Sequence, residues 1–226
     1  MVKLRIIGVL LSGALFGGAC GTSDGTKPVD PPGARAASGF ESDAEGWTII
    51  GDAQASTAKP DYNGTGGNPD GLISAVDNVT GGVWFFVAPA KYLGDASATY
   101  GRYLKYDLKT TNVSNLLDDF QVVLQGGGIM LGYYSTTPRD PGTNTWTSYK
   151  IQLSETGGWV KIPDYARASF DAHFDTRTLT LTNLTVPTNA EFQSVLSDLT
   201  LFLIRGEFNT GADTGSLDNV RFGATQ

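Results

Sequence analysis

The stretch TNAEFQSVLSDLTLFLIRGEF, residues 188–208, contains a helix signal followed directly by a strand signal. Thr188 and Glu191 have the spacing of a capping box, in which two side chains satisfy free backbone N–H groups at a helix start. The next apolar residues stand at helical spacing: Phe192, Val195, Leu196 and Leu199. The length and residue types of the run after position 198 favour a strand over a second helix. We therefore predict a short helix that leads into a strand apolar enough to lie in a core.

Outside this stretch, short apolar runs recur between clusters of turn-forming residues such as Asn63-Gly64 and Pro141-Gly142. The runs are GWTIIGD, GLISAVD, GGVWFFVA, RYLKYDL, FQVVLQ, IMLGYY, SYKIQL, GWVKI, LTLFLIRGEF and SLDNVRF. The chain is 40% hydrophobic and has 29 glycines, which is enough apolar material for a core with many turns. Many short strands without alternating helices predict an all-β sandwich with one short helix, rather than a parallel α/β sheet.

The N-terminus has the features of an export signal. Lys3 and Arg5 precede an apolar stretch at residues 6–15 that is too short to span a bilayer, and small residues then lead to Cys20. This pattern resembles a bacterial lipoprotein signal, which implies removal of residues 1–19 and lipid on Cys20. An ordinary signal peptide with an incidental cysteine is the alternative. The Pro-, Gly- and Ser-rich residues 20–38 are predicted to form a flexible tether, and residues 39–226 the folded domain.

Charge and cysteine content restrict the possible partners. Removal of residues 1–19 takes away two positive charges and no negative ones, which changes the formal charge from −7 to −9. An acidic chain without a basic cluster in its sequence is a poor candidate for nucleic-acid binding. Cys20 is the single cysteine, so the domain can hold neither a disulfide nor a thiolate metal site. Calcium, sugars or another protein are the more plausible partners, with membrane contact through the lipid alone.

Five segments in order resemble the laminin B domain, also called laminin domain IV type A. They are VWFFVAPAKYLGDASATYGRYLKYDL, VVLQGGGIMLGYY, IQLSETGGWV, TNAEFQSVLSDLTLFLIRGEF and SLDNVRF. The resemblance implies a jelly-roll β-sandwich like that of many carbohydrate-binding modules, and a non-catalytic extracellular role. The cysteine-rich modules that normally surround this domain in laminins are missing from the sequence, so a place in a laminin-type array is not implied.

The sequence offers little for catalysis. His173 is the single histidine, and no serine stands in a G-x-S-x-G motif. A pair of carboxylates of the glycosidase type stays open, since their separation cannot be read from a sequence. We predict a non-enzymatic, surface-anchored binding or adhesion module that recognises a glycan or a protein. The alternatives are a carbohydrate-active accessory domain or hydrolase, and a purely structural envelope protein.

Three aromatic residues are candidates for contact with a ligand. Tyr134 is one of two neighbouring tyrosines on a strand, of which one must face outwards. Trp146 and Trp159 are framed by polar residues and glycines. Aromatic rings stack on the apolar faces of sugars, although packing within the protein is the alternative for each of the three.

The last apolar run, SLDNVRF, raises the possibility of a calcium site. Asp218 lies in the middle of it, where aspartate is a poor strand former. If the first and last strands are neighbours, Asp218 meets Glu41 and Asp43, and calcium prefers oxygen ligands of this kind. We therefore predict a structural Ca²⁺ site with Asp218 and Glu41 as ligands and Asp43 as a weaker candidate. The alternative is an exposed edge strand, in which polar residues prevent pairing with other chains.

Overall fold

Twelve strands and one α-helix make up the regular structure of the computed structural model, which describes residues 33–51, 53, 58–77, 82–117, 119–134, 140–163 and 184–226. In chain order the strands are β1 (Ala36–Ser38), β2 (Thr48–Ile50), β3 (Asp61–Asn63), β4 (Leu72–Asp77), β5 (Phe85–Val87), β6 (Tyr103–Thr110), β7 (Val122–Gly126), β8 (Ile129–Tyr133), β9 (Thr147–Gln152), β10 (Trp159–Lys161), β11 (Leu199–Arg205) and β12 (Asp213–Ala224). The helix α1 is Asn189–Ser197, and two 3₁₀ turns are Ala90–Tyr92 and Ser97–Thr99.

The strands form two antiparallel sheets. The first sheet has the order β3-β4-β12-β6-β9, with β1 also paired to β12, and the second has the order β10-β8-β7-β11-β5-β2. From β4 to β7 every connection passes from one sheet to the other. The predicted all-β jelly-roll sandwich with one short helix is confirmed.

Helix α1 begins where the capping box places it. The Thr188 hydroxyl accepts the Glu191 backbone N–H, and the Glu191 carboxylate accepts the Thr188 N–H. Phe192, Val195 and Leu196 are buried on one side of the helix. Leu199 was part of the helical spacing in the sequence, but the helix ends at Ser197 and Leu199 is the first residue of β11.

The main core lies between the two sheets. Alternate residues of the paired strands point into it, for example Phe202 and Ile204 of β11 and Leu217 and Phe222 of β12. Leu203 points to the other face of the second sheet, where it joins a smaller apolar cluster. Both faces of β11 are therefore buried, as its continuous apolar sequence predicts.

All ten apolar runs contain strands, but two strands have no apolar signal of their own. These are β1, with the sequence AAS, and β3, with the sequence DYN. Because β1 pairs with β12 through Ala36↔Phe222, the folded domain begins before Gly39 and the predicted tether boundary at residue 38 is too late. The signal segment and Cys20 lie outside the described residues. In the part of the chain that the structure describes, no helix is long and apolar enough to cross a membrane.

Candidate functional site

The Asp218-Asn219 pair forms a β-bulge in β12. Asp218 is opposite Asp107 and Arg221 is opposite Lys105, so β12 has one residue more than β6 between these two pairs. Asn219 adopts a φ of 54°, a left-handed conformation that asparagine tolerates better than most residues. The bulge lies where the other neighbour of β12 changes from β4 to β1. An exposed edge strand is therefore the wrong explanation of the pair, since β12 is flanked on both sides.

Hydrogen bonds from a distant loop converge on this bulge. The carboxylate of Asp218 is fully buried, and it accepts the backbone N–H of Asn68 at 2.6 Å and that of Asn219 at 2.6 Å. The Asn219 amide donates to Asp107 Oδ2 at 2.9 Å and to the carbonyl of Asn68. The Asn68 amide donates to the same Asp107 oxygen at 3.1 Å. These contacts fix the loop between β3 and β4 on the outer face of the first sheet.

The bulge concentrates negative charge in a buried place. Burial raises the pKa of the Asp218 carboxyl to about 6, and the charges of Asp107 and Glu41 act in the same direction. The N–H groups of Asn68 and Asn219 act in the opposite direction, because they stabilise the ionised form. A cation would relieve this repulsion between carboxylates.

The predicted calcium ligands do not all meet at the bulge. Glu41 is near enough to influence Asp218, but Asp43 accepts the backbone N–H of Glu45 within its own turn at 2.6 Å. Among the described residues there is no group of three or more His, Cys, Asp or Glu side chains that could hold a metal ion. Calcium binding through Glu41 and Asp218 stays a prediction.

The sequence reasoning missed two residues of this site, Asn68 and Asp107, and considered Asn219 only as a possible mark of an edge strand. The one signal in the sequence was the Asp-Asn dipeptide inside a strand, which is typical of a bulge as well as of an edge. Asn68 gives no such signal, since it lies in a loop and reaches Asp218 only through the fold.

Trp159 is in the core, so the prediction that it faces a ligand at the surface is wrong. Its ring is fully buried, packs 5.4 Å from the Tyr133 ring and 5.7 Å from the Phe192 ring between centroids, and donates to the Gln152 carbonyl. The preceding Gly158 has a φ of 92°. The glycines before Trp159 thus form a tight turn into β10, rather than an exposed surface.

Tyr134 and Trp146 are both half-buried. Tyr134 packs against the smaller apolar cluster, and burial raises the pKa of its hydroxyl. The Trp146 indole N–H donates to the Gly66 carbonyl at 3.2 Å, and the Lys109 ammonium lies 4.5 Å from the centre of its ring. Contact of either residue with a ligand stays a prediction. His173 lies outside the described residues.

Comparison with known proteins gives one family match. The family described as Laminin B (Domain IV) matches residues 85–226, which include β5 to β12. No curated protein matches the chain. Among solved structures, the L4b domain of human laminin alpha-2 is similar with a TM-score of 0.58 and 15% identity, over 84% of this chain and 98% of that one.

Two enzymes match at lower structural similarity. A β-1,2-glucanase from Parabacteroides distasonis has a TM-score of 0.41 and 10% identity, over 78% of this chain and 22% of that one. An exo-β-agarase has a TM-score of 0.45 and 12% identity, over 81% of this chain and 24% of that one.

Proposed function

Because the chain belongs to the laminin B (domain IV) family, we propose that it is a binding or adhesion module held at the cell surface by lipid on Cys20. The family indicates an extracellular, non-catalytic module, and this observation supports the proposal most directly. The proposed ligand is a glycan or another surface protein. The alternatives are a carbohydrate-active accessory domain or hydrolase, and a structural envelope protein without a ligand.

The proposed anchor rests on the N-terminal sequence. A basic start, an apolar stretch and small residues before Cys20 are what a lipoprotein signal requires. Gly21, rather than aspartate, follows the cysteine, which in a host with two membranes favours the outer one. The chain between Cys20 and β1 is rich in Pro and Gly and is suited to hold the domain away from the bilayer.

One variant tests the anchor and the binding role together. The wild-type protein should fractionate with membranes, whereas Cys20→Ser should be released, because one cysteine carries the lipid. The released protein should then bind at least one glycan or surface protein on an array and generate no new reducing ends from polysaccharides. If Cys20→Ser stayed with the membranes as fully as wild type, the proposed lipid anchor would be wrong. Turnover of a polysaccharide that is lost on replacement of one acidic residue would favour the hydrolase.

We also propose that calcium binds at the bulge and stabilises the domain. In support, Asp218 is buried beside the charges of Asp107 and Glu41, and calcium accepts carboxylate oxygens in adaptable geometry. An ion that binds the folded state alone stabilises it by mass action, by about 2.7 kcal/mol at a hundred times its dissociation constant. Its role would be structural.

The wild-type protein is therefore expected to melt at a higher temperature with calcium than with a chelator. Asp218→Ala should lose this increment, and Asp198→Ala, which removes an exposed acid elsewhere, should keep it. The increment should be smaller at pH 5 than at pH 7.5, because protons compete for Asp218 below its pKa of about 6. A wild-type melting temperature that is the same in calcium and in chelator would end the proposal.

A further inference from the structure

Three cationic side chains form a row across the first sheet. Lys105 of β6 is directly opposite Arg221 of β12 on one side and Lys150 of β9 on the other. Directly opposite residues of antiparallel strands share a face of the sheet. We call Arg221, Lys105 and Lys150 the basic row.

The basic row lies on the outer face of the sandwich. The adjacent triplet in register, Phe222, Leu104 and Ile151, is buried in the main core, so the basic row must point the other way. Lys150 is exposed, while Lys105 and Arg221 are half-buried. On the β1 side the row ends at Ala37, which is directly opposite Arg221.

No acid neutralises these three charges within the part of the chain that the structure describes. Ion pairs of Lys91, Lys161 and Arg205 lie elsewhere in the domain. The nearest acids in register, Asp107 and Asp218, lie one outward pair along the same face, where they accept hydrogen bonds from Asn68 and Asn219 and form no ion pair with the basic row. The Lys150 ammonium rests over the Tyr103 ring at 4.2 Å from its centre.

Such a row costs stability. Like charges directly opposite one another on neighbouring strands repel and destabilise the sheet. Protection of a sheet edge accounts for Lys150, because β9 is an edge strand, but it does not account for Lys105 and Arg221 on interior strands. In a chain with a net charge of −7, three cations in one line that form no ion pair with any described residue indicate an anionic partner.

We propose that the basic row binds an acidic polysaccharide that runs across the strands. The strands that carry the cations are about 4.8 Å apart, so the basic row extends over a length of a few sugar units, and its long side chains can reach several carboxylates or sulfates of one chain. This inference rests on the proposed binding function and names the class of its ligand.

The test compares two charge-matched triple variants of the Cys20→Ser protein. One carries Lys105→Gln, Lys150→Gln and Arg221→Gln, and the control carries Lys27→Gln, Lys59→Gln and Lys161→Gln. The probes are polygalacturonate and heparin, with methyl-esterified polygalacturonate as the neutral comparison. The row variant should bind the acidic probes about tenfold or more weakly than wild type and lose most of the salt dependence, while the control should change little. The row variant should melt at the wild-type temperature or above it, because the three substitutions remove the repulsion between the cations.

Several results would overturn the inference. The inference would be wrong if the row variant and the control bound the acidic probes equally well. It would also be wrong if wild type bound the neutral ester as tightly as the acidic probes. Equally tight binding of wild type to single-stranded DNA or to vesicles of phosphatidylglycerol would indicate a polyanion or lipid surface instead. If wild type binds a neutral glycan or a protein independently of the row, the proposed function stands and this inference fails. If it binds nothing and degrades a polysaccharide, the proposed function fails.

Discussion

Replacement of Gly206 with alanine is expected to leave little folded protein. A Cβ atom at this position would lie 1.9 Å from Cζ3 and 2.0 Å from Cη2 of the Trp84 ring. Trp84 is fully buried and packs against Phe86 at 4.9 Å between ring centroids, so it cannot move aside. Gly215 of β12 approaches the same indole from the first sheet. Overpacking of a core typically costs about 1–3 kcal/mol, and this contact should exceed that range.

The yield of soluble protein measures this loss, together with thermal and urea unfolding of the folded fraction that can be purified. Gly39→Ala is the matched control, because its new methyl group would meet only the flexible carboxylate of Glu41, at 3.3 Å. Trp84→Leu in the Gly206→Ala background should restore part of the loss by making room, and a double-mutant cycle gives the coupling. If Gly206→Ala were as stable as the Gly39→Ala control, the close packing of the Trp84 indole against Gly206 and Gly215 would be contradicted.

The sequence predicts the fold where local patterns decide it. The ten apolar runs and the capping box at Thr188 need no long-range information, and all of them have the expected structure. The strands β1 and β3 differ, because AAS and DYN are too short for an apolar alternation and Tyr62 is the single strong strand former in them. They are extended because β12 and β4 offer free edges for pairing.

The site is less predictable because it depends on register. Asp218 receives a hydrogen bond from Asn68, 150 positions earlier in the sequence, and no local signal marks that partner. The sequence likewise shows no basic cluster, since Lys105, Lys150 and Arg221 become neighbours only when β6, β9 and β12 pair. The prediction for Trp159 is wrong for a different reason. Glycines beside an aromatic residue are as typical of a turn that directs the ring inwards as of an exposed ring, and the ring of Trp159 is buried.

Replacement of Phe202 with alanine is expected to destabilise the domain by about 3–5 kcal/mol, the usual cost of truncating a buried phenylalanine. Phe202 lies on β11, a central strand of the second sheet, and is fully buried. Its ring centroid is 5.3 Å from that of Phe222 in the first sheet, 5.6 Å from that of Tyr92 and 6.0 Å from that of Trp47. The truncation therefore removes edge contacts to Tyr92 and Trp47 and a tilted contact to Phe222, as well as apolar area buried between the sheets.

Equilibrium urea unfolding of Phe202→Ala, Phe202→Leu and Thr200→Ala tests this role of the ring. Thr200 is exposed on the same strand, so its variant should stay within about 0.5 kcal/mol of wild type. Phe202→Leu keeps much of the volume and should lose less than the alanine variant, because the cavity left behind is smaller. Tryptophan fluorescence and far-UV circular dichroism should give one coincident transition in every case, since the ring cluster joins both sheets into one cooperative unit. A Phe202→Ala protein that unfolds at the wild-type urea concentration would contradict a central place for this residue in the core.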